Sequence, residues 1–143
     1  MSISGLLFPE RKFTMFYVFL AEGFEETEAL APVDVMRRAK LDVKTVGVPV
    51  KADITIDNID LDDVQGVVLP GGMPGTLNLE ANEKVLEAVK YSCENGKIVA
   101  AICAAPSILG HLGILDGKKA TCFPGFEKEL KGADYTGTHT VTD

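Results

Sequence analysis

Three stretches of this 143-residue chain hold groups whose spacing could do chemistry. The first is "VAAICAAPSILGHLG", where Cys103 separates an apolar run from a predicted helix. Pro106 falls near that helix's first turn, where a missing N–H costs nothing. Strand, sharp turn and helix form an elbow that lifts one side chain out of a sheet, while the next residue's N–H, here that of Ala104, faces the same side. Ala101, Ala104 and Ala105 leave room for a substrate to reach the sulfur. A thiol at a helix N-terminus sees the positive end of the dipole, which moves its pKa from about 8.5 into a range of roughly 3.5–7.5. Cys103 is therefore expected as a largely ionised nucleophile, against the alternative of a cysteine that only packs.

The second stretch is "PGGMPGT". Gly71 and Gly72 end an apolar run, and their lack of side chains lets backbone N–H groups approach a ligand oxygen, as an oxyanion site requires. An ordinary loop needing positive φ explains the same letters. The third is "EGFEETE", in which Glu22, Glu25 and Glu26 read as solvated first-turn acids. Glu28 differs, because the helix face it shares with Glu25 is expected to turn toward the sheet edge. Pro32 also leaves the Glu28 carbonyl without its helical donor. A carboxyl buried beside a thiolate is disfavoured as an anion, so it would hold a proton and serve as a general acid/base.

The elements that must position these groups follow from periodicity. "MFYVFLA" reads as a buried strand, and "GFEETEALAPVDVMRRA" as a helix with Leu30, Val33 and Met36 inward, acids first and Arg37 and Arg38 last. "DVKTVGV" is a strand, "ADITIDN" a weaker one, and "GVVLP" a short strand of the kind buried on both faces. "NEKVLEAVKYSCENG" is a helix capped by Asn82 and ended by Gly96, followed by the strand "KIVAAI". After Cys103 come the helix "APSILGHLG", a turn, the strand "KATCF", and a further strand that begins in "GADYTGTHTVTD". This alternation predicts an α/β fold with a mostly parallel sheet covered on both faces, its reactive groups at the carboxyl ends of the strands.

Bulk properties narrow the partners. A chain with 46% hydrophobic residues can bury a core as one domain. Its formal charge of −7, without clustered Lys and Arg, argues against nucleic acid. No run approaches the about 20 apolar residues of a membrane span. Cys93, Cys103 and Cys122 show neither CxxC nor Cys/His ligand spacing, so no disulfide framework or metal site is indicated, and a cytoplasmic setting is expected. Cys93 is given no chemistry. Cys122 lies near the same strand-end region as Cys103, which leaves a resolving or metal-binding role open. His111 is read as a helix-end residue and His139 as a surface strand residue. Residues 1–14 are expected to be an extension ahead of a domain over 15–143.

Taken together, "AEGFEETEALAPVDVMRRA", "VVLPGGMPGTLNL" and "AAICAAPSILGHLGILDGKKAT" closely resemble the ThiJ/PfpI superfamily, in the branch of the parkinsonism-associated protein. The resemblance implies a flavodoxin-like three-layer sandwich, a homodimer, a reactive cysteine at Cys103, a protonated partner at Glu28, and an oxyanion site from the amides of Gly72 and Ala104. It implies cofactor-independent glyoxalase or deglycase chemistry on a small-molecule carbonyl, linked to oxidative stress. The alternative is a non-enzymatic redox sensor or chaperone using the same thiol. The superfamily's protease branch has a histidine directly after its cysteine, where this chain has Ala104, so protease or amidase activity is disfavoured. Where some relatives have a histidine before a proline, this chain has Phe123 before Pro124, an aromatic expected to close the site without offering a proton. The resemblance also implies a longer domain, with a further strand and covering helix, so that a C-terminal segment of the family's domain is expected as a partner.

Overall fold

A computed structural model describes residues 15–47 and 52–143. The expected extension over residues 1–14 lies outside these. The chain opens with strand β1 (Met15–Leu20), helix α1 (Glu26–Arg38) and strand β2 (Val43–Gly47), followed by β3 (Val64–Leu69). Helices α2 (Gly75–Glu80) and α3 (Glu83–Glu94) lead to β4 (Ile98–Ala101), helix α4 (Pro106–His111), β5 (Lys119–Ala120) and β6 (Asp134–Tyr135). β1 to β4 form one wholly parallel sheet in the order β2-β1-β3-β4, while β5 and β6 pair separately, also in parallel. That order is the flavodoxin-like one, in which the chain reverses direction across the sheet between β1 and β3 and leaves a crevice at the strands' carboxyl ends.

The alternation of β1 divides the core in two. Tyr17 and Phe19 join Val64, Val67, Leu69, Val85, Val89 and Ile108 on one face, whereas Val18 and Leu20 join Phe24, Ala29 and Val33 on the other. A strand sends successive side chains to opposite faces, so both sets are hidden only because α1 covers one side and α2, α3 and α4 cover the other. α3 starts where predicted, with the Asn82 side chain accepting from the Lys84 and Val85 N–H groups, and Gly96 follows it at φ 64°.

Several expectations are corrected. Val33 and Met36 of α1 face the core as expected, joined by Ala29, whereas Leu30 is 44% exposed. "ADITIDN" contributes only a bridge from Ile54 to Val46 and a 3-10 turn over Ile56–Asn58. There the Asp53 carboxylate accepts from the Thr45 N–H and hydroxyl and so draws the chain out of strand geometry. "KATCF", expected as a strand throughout, pairs over Lys119 and Ala120 only, with β6. The sheet is not covered on both faces as expected at this edge, where Ile98 of β4 is 55% and Ile102, just beyond it, 47% exposed. No helix among the described residues is long and apolar enough to cross a membrane.

Candidate active site

Cys103 stands just beyond β4 at φ 61°, in the left-handed region that a non-glycine residue occupies at a cost of about 1–3 kcal/mol. Three backbone bonds hold the turn. The Ile102 N–H donates to the Leu69 carbonyl at 3.2 Å, that of Ala105 to Ile102 at 3.0 Å, and that of Phe123 to the Cys103 carbonyl at 2.8 Å. Beyond the turn, Pro106 occupies the first turn of α4. The elbow thus raises the sulfur at the carboxyl end of the sheet.

Glu28, from the first turn of α1, approaches from the other side. Its Oε2 accepts the Gly71 N–H at 2.8 Å. Gly71 lies between the two functional groups, since a Cβ built there would sit 2.5 Å from Cys103 Cβ, 2.6 Å from Glu28 Oε2 and 3.1 Å from Cys103 Sγ. Only a residue without a side chain lets the thiol and the carboxyl meet. The Gly72 and Ala104 N–H groups both point at the sulfur, and Glu28 hydrogen-bonds it. Gly72 has φ 89°. Cys103, Glu28, Gly71, Gly72 and Ala104 are therefore brought together at one point.

The expected ionisation state of the thiol is corrected. Burial pushes the Cys103 thiol up, and the Glu28 charge and hydrogen bond push it further, while the Gly72 and Ala104 N–H groups pull it partly back. The helix dipole does not prevail because α4 has only six residues and begins beyond Ala105, so its axis lends the sulfur little field. Partial burial and the neighbouring carboxylate both favour the protonated thiol.

Glu25, read from sequence as solvated, is the N-cap of α1. Its Oε2 accepts the Glu28 N–H at 2.7 Å, and its own N–H donates to the Gly71 carbonyl at 3.1 Å. Acids crowd the start of this helix, and nothing in their order marks this one as inward.

Cys122 and Phe123 reach the same cleft, a cavity of about 760 Å³ that runs from Glu28 and Cys103 along β4 to Tyr135 and the last residues. Burial and then the Glu127 carboxylate push the Cys122 thiol up, against the smaller opposing pull of the Phe126 N–H. Phe123 stands half-exposed on the cleft wall, and its backbone N–H holds the elbow through the bond to the Cys103 carbonyl. His111 ends α4 as expected, but it also hydrogen-bonds both Glu80 and Glu129. Among the described residues, no group of three or more His, Cys, Asp or Glu side chains is placed to hold a metal ion.

The profile described as "DJ-1/PfpI family" matches residues 15–143. Among curated relatives, Protein DJ-1 homolog B of Arabidopsis thaliana is 32% identical over 137 residues, covering 87% of this chain and 31% of its own length. The chain thus spans less than a third of that relative. A deglycase of Thermococcus kodakarensis is 32% identical over 140 residues, covering 88% of this chain and 83% of the relative. Among solved structures, Drosophila melanogaster DJ-1beta superposes with a TM-score of 0.83 at 30% identity, covering 91% of this chain and 77% of that one.

Proposed function

The chain belongs to the DJ-1/PfpI family, and from that premise we propose that it is a cysteine-dependent, cofactor-independent enzyme of glyoxalase or deglycase type, acting on small dicarbonyls or glycated groups. One observation carries the reading: the Cys103 thiol and the Glu28 carboxyl meet across Gly71, with the Gly72 and Ala104 N–H groups aimed at the sulfur. The name of the Thermococcus relative, a deglycase, points the same way.

The chemistry follows from a thiol that keeps its proton at rest. As Cys103 Sγ attacks the aldehyde carbon of methylglyoxal, its proton passes to the Glu28 carboxylate, the nearest base. The new carbon–sulfur bond leaves negative charge on the former aldehyde oxygen, where the Gly72 and Ala104 N–H groups can receive it. Protonation of that oxygen gives a hemithioacetal. Glu28 then takes the proton from the carbon bonded to sulfur and returns it to the neighbouring carbon, while the proton on the former aldehyde oxygen passes to the ketone oxygen, which moves the oxidation level along the chain without any outside oxidant. A lactoyl thioester results, and water cleaves it to lactate and the free thiol. A pair holding one proton suits both halves, since Glu28 acts first as base and then as acid.

The test is lactate formation from methylglyoxal by the parent, Cys103→Ser and Glu28→Ala. The expected result is turnover in the parent and its loss in both variants. Equal turnover in all three would refute the reading. Absence of turnover in the parent, with a peroxide-induced mass gain of two oxygens on Cys103, would replace it with the redox-sensor reading. A homodimer belongs to the same proposal and is measured by light scattering.

A further inference from the structure

We infer that Glu25 is a positioning residue, whose carboxylate sets Glu28 against the Cys103 sulfur. The inference deepens the proposed function and rests on the same pair of reacting groups.

The bonds around Glu25 form a closed circuit. Its Oε2 accepts the Glu28 N–H at 2.7 Å, its own N–H donates to the Gly71 carbonyl at 3.1 Å, and the Gly71 N–H donates to Glu28 Oε2 at 2.8 Å. The backbone from which the Glu28 side chain rises is thus tied to the same glycine that its carboxylate grips. The Gly71 carbonyl and the Gly72 N–H belong to one planar peptide unit. Fixing the carbonyl through Glu25 therefore fixes the direction of the N–H at its other end, which points at the Cys103 sulfur. The two segments are pressed together here. A Cβ at Gly72 would lie 2.6 Å from the Glu25 nitrogen, and the Gly75 N–H donates to the Gly23 carbonyl at 3.0 Å.

The residue type is informative. Helix starts favour Asn, Asp, Ser and Thr, whose short side chains reach the third N–H of the helix directly. A glutamate with an extra methylene does so here while Gly71 holds its backbone from the other side. Without the side-chain acceptor, the Glu28 N–H becomes one of the unpaired donors of the first turn, free to take water and swing away. Glu28 would then leave the sulfur, while the Glu25 backbone bond to Gly71 could persist.

The test reads the thiol directly and needs no turnover, so it stands even if the dicarbonyl chemistry fails. Cys103 alkylation by iodoacetamide is followed against pH in the parent, Glu25→Ala, Glu25→Gln, Glu28→Gln and the double variant Glu25→Ala/Glu28→Gln. Glu28 pushes the thiol up, so losing its placement lowers the midpoint. Glu25→Ala is expected to fall toward the Glu28→Gln value, Glu25→Gln, which keeps an acceptor oxygen, to restore the parent curve, and the double variant to show no further shift. In the parent background, Glu25→Ala is also expected to lower kcat about 10–100-fold with little change in KM, as a misplacement near 1 Å does. Should Glu25→Ala fail to fold, Glu25→Gly serves, because glycine is a tolerated cap that lacks the acceptor. A folded Glu25→Ala or Glu25→Gly with the parent midpoint would overturn the inference. So would an equal shift in the Glu28→Gln background, which would mean that Glu25 acts on the thiol without Glu28.

Discussion

Gly71→Ala tests the geometry most directly, because the added methyl falls where thiol and carboxyl meet. Gly71 is not in the left-handed region, so alanine brings no backbone strain and the effect is steric. Carbon atoms rest at about 3.5–4.0 Å, whereas the new Cβ would stand 2.5 Å from Cys103 Cβ and 2.6 Å from Glu28 Oε2. Something must retreat by about 1 Å. The Cys103 side is held by the Phe123 and Ile102 backbone bonds, so the more mobile Glu28 carboxylate is expected to move, losing both the Gly71 N–H and the sulfur. Overpacking of this kind costs about 1–3 kcal/mol of stability, and a displacement near 1 Å at reacting groups costs about 10²-fold in rate. The assay is the initial rate of lactate formation from methylglyoxal, with a thermal melt on the same sample to confirm folding. A Gly71→Ala protein with the parent's Tm and a rate within about twofold of the parent's would show that thiol and carboxyl do not work as a pair.

Three further outcomes are expected. His111 is held by Glu129 and Glu80, whose hydrogen bonds push its imidazole up against the smaller opposing effects of burial and Lys131. A raised folded value means its contribution is full below the unfolded pKa of about 6.5 and is lost as pH rises through the folded one. Tm should therefore decline across that window in the parent and stay flatter in Glu80- and Glu129-bearing His111→Gln, as melts at stepped pH would show. Asn82→Ala removes the cap on the Lys84 and Val85 N–H groups and should cost about 0.5–2 kcal/mol in urea unfolding. Cys122→Ser should leave the Cys103 alkylation curve in place, because the Cys122 sulfur answers to Phe126 and Glu127 rather than to Cys103.

The parallel sheet and the elbow were legible because each leaves a local mark. The apolar run of β3, the Asn82 cap and the small residues around Cys103 all state their conformations within a few positions. What was not legible depended on distant partners. On α1, Ala29 is fully buried yet small enough to escape an apolar count, while Leu30 beside it carries the apolar signal and is not buried. α2 begins at the end of "PGGMPGT", where Gly and Pro signal a loop, although Thr76 and Leu79 are buried as helical residues. β5 was overextended because "KATCF" has the composition of a strand, but its partner is the two-residue β6, which limits the pairing. Glu25 looked like its acidic neighbours because only the Gly71 carbonyl, far along the chain, distinguishes it.

The thiol's resting state is where sequence and structure diverge with most consequence. An elbow ahead of a helix suggests a permanent thiolate, which would need no base and would be open to oxidation at all times. The folded chain instead places burial and a carboxylate against the sulfur, and both favour the protonated form. Two N–H groups remain aimed at the site, so negative charge is provided for but not present at rest. That combination suits a group that ionises only as a substrate carbonyl arrives, when charge leaves the sulfur for an oxygen and Glu28 takes the proton. It also explains why the positive φ at Cys103 is tolerated: the strain fixes the sulfur between the Gly72 and Ala104 donors, which a relaxed β-region backbone would point elsewhere. Under the proposed function, geometry rather than resting charge would make this cysteine reactive, and the pair it forms with Glu28 would be the unit on which substitutions act.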